Sequence, residues 1–278
     1  MKYRLLLMAL AAATAFTACN DQASTEAKKE EPKTDAVVIK EEAVNYTADT
    51  AKLIGFVAYN EADTAKRPAV LVIPEWWGMT EYPKMRAREL AKLGYIALVA
   101  DMYGNGAIAD SPSIAMKFAG PFYTNHKLAN SRFMAALNQL KSYPQADTTR
   151  IAAIGYCFGG SMVLNAAKMG APLNGVVSFH GDLRGVPADK KLLKAKILVC
   201  HGMADSFVPQ PVVDAFKKQM DSVGADFTFK AYPDATHAFT NPKATETGLK
   251  FNMPIKYNAA ADTASWKDMQ DFFGRIFK

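Results

Sequence analysis

Cysteine and histidine are scarce in this chain: 278 residues hold three of the first and four of the second. Cys19, Cys157 and Cys200 are far apart, so there is no Cys-x-x-Cys redox motif and no paired cysteine spacing for a metal. A dense Lys/Arg block is also missing. The formal net charge of +6 is therefore a mild basic excess that does not point to nucleic acid. No apolar run is long enough to span a bilayer comfortably; Leu5 to Phe16 is the candidate and falls short.

That run fits a different role. Lys2 and Arg4 precede it, and Thr17, Ala18 and Cys19 follow it. A positive start, a short apolar stretch and small residues at the end predict a signal peptide over residues 1–18. Small residues before a cysteine resemble a lipobox, in which the cysteine takes a lipid and becomes the new N-terminus. Phe16 stands where leucine is usual. The expectation is lipidation of Cys19 and a lipid anchor in the cell envelope. Without the lipid, cleavage near Ala18 gives a secreted protein. Lipid is the only membrane attachment the sequence offers. Loss of Lys2 and Arg4 brings the net charge nearer +4. Two thiols then remain in an oxidising compartment, but a Cys157–Cys200 disulfide is disfavoured because both cysteines sit at the ends of core strands.

Residues 19–45 are polar and rich in Lys, Glu, Thr and Ala, which predicts a lipidated, disordered tether. The folded domain is expected over 46–278, and half of the whole chain is apolar, enough for one sizeable core. Ala69 to Pro74 and Tyr95 to Ala100 are continuous apolar runs, the mark of strands buried on both faces. Lys52–Asn60, Arg150–Tyr156, Gly175–Phe179, Lys196–Cys200 and Asp226–Tyr232 also read as strands. Helices are expected over 81–93, 125–143, 161–169, 211–223 and 263–277. Strands alternating with helices predict an α/β fold with a mostly parallel, doubly wound sheet covered on both faces. Functional residues in such sheets gather at the carboxyl ends of the strands.

Gly155-Tyr156-Cys157-Phe158-Gly159-Gly160 joins a strand to a helix and matches Gly-x-nucleophile-x-Gly. The chain must turn sharply there, so the flanking residues must be small. The central side chain then stands exposed at a helix N-terminus, where free N–H groups favour a thiolate. Without chemistry, the same stretch is a core cysteine beside a glycine-rich turn. A nucleophile needs a base, and the base needs an orienting acid. Asp205 follows the strand that ends at Cys200, and His237 follows the strand that ends at Tyr232. His201 reads as a strand-end residue shaping the Asp205 loop. His180 either lines a pocket or ends a strand. His126 begins a helix and is expected to be solvated. Glu75 ends an apolar strand, where a carboxylate is costly unless paired or turned to solvent. Trp76 and Trp77 read as a pocket wall, though either fits a plain core.

Together, Pro74-Glu75-Trp76-Trp77-Gly78, Ala100-Asp101-Met102-Tyr103-Gly104, the Cys157 motif, His201-Gly202-x-x-Asp205 and His237-Ala238-Phe239 resemble the dienelactone hydrolase family. The resemblance implies an α/β-hydrolase fold and a Cys157–His237–Asp205 triad, with no metal and no cofactor. It makes Glu75 a partner that controls the cysteine's ionisation. It draws the oxyanion hole from the backbone N–H groups of Phe158 and Trp76. Trp77, Tyr103, Asn105, His180, Phe239 and Asn241 are expected around the substrate. Asn105 and Asn241 stand where the diene-lactone enzymes carry substrate-binding arginines, and an amide cannot grip a carboxylate as a guanidinium does. A small dicarboxylate-like lactone is therefore not the expected substrate. The leading expectation is a monomer that hydrolyses a small ester or lactone through an acyl-enzyme. The rival is a non-catalytic, small-molecule-binding lipoprotein on a hydrolase scaffold. It would require loss of a triad member, and none is lost. A redox protein using Cys157 and Cys200 is a weaker third reading.

Overall fold

The computed structural model describes residues 37–278. The expected signal peptide, Cys19 and most of the expected tether lie outside the described residues. The described chain opens with a hairpin of β1 (Ile39–Ala48) and β2 (Ala51–Asn60), in which Ala48 pairs with Ala51 and Ile39 with Asn60. The expected tether is thus too long, because residues 39–45 are strand. Their Lys and Glu side chains suit an edge strand with one row facing water, and that polarity hid the strand from a reading of apolar runs.

Next come β3 (Arg67–Ile73), α1 (Glu81–Lys92), β4 (Ile96–Val99), α2 (Pro112–Thr124), α3 (His126–Lys141) and β5 (Ala146–Tyr156). The chain continues through α4 (Phe158–Lys168), β6 (Gly175–Phe179), β7 (Lys196–Gly202), α5 (Gln210–Val223), β8 (Phe227–Tyr232), α6 (Ala244–Phe251) and α7 (Ala259–Ile276). Helices α2 and α6 were not expected. Pro112 and Pro121 disguise α2, and α6 is only eight residues long.

The strands form one sheet in the order β1-β2-β4-β3-β5-β6-β7-β8. The first two pairings are antiparallel and every pairing from β4 to β8 is parallel. Side chains of β3 alternate between two cores. Leu71 and Ile73 belong to the core that also holds residues of α3, α4 and α5, such as Phe133, Val163 and Phe216. Val70 and Val72 belong to the core that holds those of α1 and α7, such as Leu90, Met269 and Phe273. All five of Ala69 to Ile73 are fully buried, which is why the sequence shows a run rather than an alternation.

The sheet and α4 touch at two glycines. A Cβ on Gly159 would lie 2.1 Å from the Ile73 carbonyl oxygen, and one on Gly155 would lie 2.1 Å from the Gly159 carbonyl oxygen. Both obstacles are backbone, so neither can step aside. Gly159→Ala is therefore expected to cost about 3 kcal/mol or more of stability, measured by urea unfolding. An unchanged midpoint would show that α4 does not rest on β3.

Candidate active site

Cys157 lies between β5 and α4 with φ 52 and ψ −114. That region is strained for a residue with a Cβ, and it is held by the packing around it. The Cys157 N–H donates both to the Phe179 carbonyl (3.0 Å) and to Nδ1 of His180 (3.1 Å). Its backbone is tied to the end of β6, while its half-buried side chain faces a cavity. Cys200 is a free thiol as well, fully buried and pushed up to about 12 by that burial.

His237 and Asp205 come from loops beyond neighbouring parallel strands. His237 Nδ1 lies 2.8 Å from Asp205 Oδ2, and the Asp205 side chain is completely shielded from solvent. The other Asp205 oxygen accepts the N–H of Phe207 (2.9 Å), which holds the carboxylate in place. Burial works against a charged His237. Its interactions with Cys157 and Asp205 outweigh that and raise His237 well above the usual imidazole range.

Glu75 and Trp76 follow β3 and face the same cavity. The Glu75 carboxylate is almost wholly buried and accepts a hydrogen bond from Asn241 Nδ2 at 2.7 Å. Burial pushes its pKa up to about 7, against the pull of Asn241, His237 and Arg86. Phe158 is the first residue of α4, so its N–H has no partner within the helix. The Tyr103 hydroxyl donates to the Trp76 carbonyl at 2.9 Å, and its ring packs 5.8 Å from that of Phe158. Tyr103 itself sits on a tight turn. Asp101 Oδ1 accepts from the N–H groups of Tyr103 and Gly104, and Oδ2 from those of Ile54 and Gly106.

Several residues expected around the substrate lie elsewhere. Tyr103 is a brace between Trp76 and Phe158 rather than a wall. Asn105 is exposed, with its N–H on the Lys52 carbonyl (2.8 Å), because the Asp101 turn carries it away from the cavity. Asn241 is engaged behind Glu75. Phe239 is fully buried, 5.3 Å from the His180 ring. His180 is buried beneath Cys157, and its Nε2 lies 2.7 Å from Thr240 Oγ1. Burial and the charge of His237 hold it well below the usual imidazole range, so it stays neutral. With Nδ1 accepting from Cys157, the Nε2 proton donates to Thr240. Thr240 also pairs with the Tyr82 hydroxyl (2.6 Å), and the Thr240 carbonyl accepts from Arg86 (2.8 Å). Trp77 does line the cavity, stacked on Phe251 at 5.9 Å. His201 is buried in β7 against Phe229.

The cavity holds about 450 Å³. Glu75, Cys157 and His237 share it with apolar groups such as Met116, Phe207, Val208, Met253 and Ile255. His126 was expected to be solvated, but it is half-buried and lines the cavity, because the unforeseen α2 folds the start of α3 over the sheet edge. Tyr123 was missed with α2, to which it belongs, and Arg184 because it lies on a connection with no motif of its own.

A mostly parallel sheet, a cysteine on a strained strand-to-helix turn and an Asp–His pair on later strand ends define an α/β-hydrolase. The model of the dienelactone hydrolase family matches residues 53–277, and the chain belongs to that family. It is a hydrolase of that type, in the carboxylic ester hydrolase class. A provisional carboxymethylenebutenolidase of Methylorubrum extorquens is 28% identical over 222 residues, covering 74% of this chain and 71% of its own length. A dienelactone hydrolase-like promiscuous phosphotriesterase from metagenomic libraries is 33% identical. Its crystal structure superposes with a TM-score of 0.80 over 86% of this chain and 99% of its own. An uncharacterized Caenorhabditis elegans protein is 36% identical over 150 residues, 52% of this chain and 92% of its own.

The raised pKa of Glu75 links stability to pH. Below about pH 4.5 the carboxyl is protonated in folded and unfolded chains alike and costs nothing. Between there and about 7 the unfolded chain has lost a proton that the folded one keeps, so stability falls as pH rises. The full loss is about 3 kcal/mol. Glu75→Gln keeps an acceptor for Asn241 and removes that loss. It is expected to match the wild type near pH 4.5 and to be the more stable protein at pH 8, by denaturant unfolding at both values. A constant difference between the two across this range would remove Glu75 as the titrating group.

Proposed function

We propose that this protein hydrolyses neutral esters or lactones with an apolar acyl group, using Cys157 as nucleophile. The observation that supports it best is the strained cysteine facing a cavity shared with a buried His237–Asp205 pair. His237 takes the thiol proton. The sulfur attacks the carbonyl carbon, and the negative oxygen that forms is held by the N–H groups of Phe158 and Trp76. One such donor is worth about 3 kcal/mol in related chemistry. The intermediate collapses, the alkoxide leaves with the proton from His237, and a thioester remains on Cys157. Water then gives a proton to His237 and attacks the thioester. The acid departs and the thiol is restored. Asp205 holds the imidazole with Nε2 toward the sulfur throughout.

Substrate preference follows from what the cavity lacks. Asn241 is engaged by Glu75 and Asn105 lies outside, so neither place offers a cation. Arg184 at the rim is already paired with Asp182 (2.8 Å) and the Phe207 carbonyl (3.0 Å). Apolar walls then favour an uncharged acyl chain over a dicarboxylate. Cys157→Ala is expected to lower p-nitrophenyl butyrate turnover at least about a thousandfold, and the Cys157→Ala/His237→Ala double variant no further. Turnover equal to wild type in Cys157→Ala would remove the cysteine from the chemistry.

We also infer a lipid on Cys19 and a place in the cell envelope, from the Phe16-Thr17-Ala18-Cys19 stretch behind a short apolar run. In bacteria fed an alkyne fatty acid, the wild-type chain should take up label and Cys19→Ala should not. Equal labelling of the two, or none in either, would leave a secreted protein without an anchor.

A further inference from the structure

Lys168 ends α4, and its side chain is 99% buried (1% exposed). Ammonium groups are rarely buried without a partner. Asp182 acts on its Nζ through charge. One oxygen of Asp182 is taken by Arg184, since Oδ1 accepts from both its backbone N–H (3.1 Å) and its Nε (2.8 Å). The Lys168 Nζ instead sits 5.4 Å from the centre of the Phe216 ring. Burial pushes its pKa down to about 8, with Asp182 pulling the other way.

The amine borders a cavity of about 440 Å³ between the end of α4 and the start of α5. Most of its lining is apolar and includes Leu183, Val212, Ala215 and Phe216. The side chain of Gln219 adds an amide to the lining. Lys168, one amide and an Arg184 already paired with Asp182 suit a singly charged head, and the apolar surfaces suit a hydrocarbon tail. A doubly charged phosphate would need more donors than this. Arg184 and Gly185 line this cavity and the catalytic one, so a thin wall separates the two.

We propose that the Lys168 cavity is a second binding site, for a carboxylate carrying an apolar chain. The ammonium meets the head and the α4–α5 cleft takes the tail. The site lies outside the catalytic cavity and does not depend on how Cys157 is used.

The test is calorimetric titration of octanoate into the full-length protein with Cys157 alkylated by iodoacetamide, which closes the catalytic cavity. Saturable binding is expected, weakened at least tenfold in Lys168→Met, which keeps the length of the chain and removes the charge. Ala215→Trp fills the cleft while leaving Lys168 in place, and it should lose binding to the same extent. Above about pH 8, affinity should fall about tenfold per pH unit as the free amine loses its proton. Octanol should not compete, and inorganic phosphate should bind far more weakly. Octanoate affinity unchanged in Lys168→Met or in Ala215→Trp would overturn the assignment. So would full competition by octanol, or phosphate binding as tightly as octanoate.

Discussion

The site depends on one tight contact, between the backbone of α4 and the ends of β3 and β5. Gly155 and Gly159 let the chain reverse within van der Waals reach of the Ile73 and Gly159 carbonyls. That closeness forces Cys157 to positive φ. A cysteine on a relaxed backbone would continue the strand direction and point into a core. Here it stands at the carboxyl end of the sheet, and the first N–H of α4 has no partner within the helix. The strain is local, and the parallel ladder on either side of β5 holds it in place.

Beneath this turn lies a polar layer that must be satisfied, because it is almost dry. His180 accepts from the Cys157 N–H and reaches Thr240, and Thr240 reaches Tyr82 and Arg86. Arg86 is itself paired with Asp262 of α7 and Glu89 of α1. The loop carrying His237, Thr240 and Asn241 is therefore anchored by helices on the face of the sheet opposite α4. Asn241 closes the circuit by donating to Glu75 at the end of β3. Groups read one at a time as pocket wall turn out to be the floor that holds the wall.

The strand-end residues that share the cavity were more legible than their surroundings, for a physical reason. A strand-to-helix elbow imposes small residues at fixed spacing, and strand-end loops impose a fixed chain order, so Cys157, Asp205 and His237 leave a linear trace. Continuous apolar runs made β3 and β4 visible in the same way. The edge strand β1 left no such trace, because one face of it meets water. Helix α2 carries two prolines, so its pattern did not read as helix, and with it went the placement of Tyr123 and His126. Asn105 and Asn241 were expected together at a substrate, since position in a family pattern does not say where a side chain points. Backbone φ of 53 at Asn105 and a hydrogen bond to Glu75 at Asn241 separate them.

Two histidines near Cys157 show how the fold assigns a proton that the sequence could not. The rings of His180 and His237 are centred 5.3 Å apart, and both are buried. Two imidazolium ions at that separation would repel strongly in a dry site, so at most one carries charge near neutral pH. Burial disfavours charge on either ring. Only His237 has compensation, from Asp205 at 2.8 Å and from the neighbouring Cys157. His180 faces a backbone N–H and a threonine hydroxyl, and neither stabilises a cation as an anion does. The proton therefore settles on His237, the ring that borders the cavity, and the charge of His237 helps to keep His180 neutral. A neutral His180 can accept from Cys157, which fixes the backbone that the strained turn requires. One carboxylate, Asp205, thus sorts the roles of both rings.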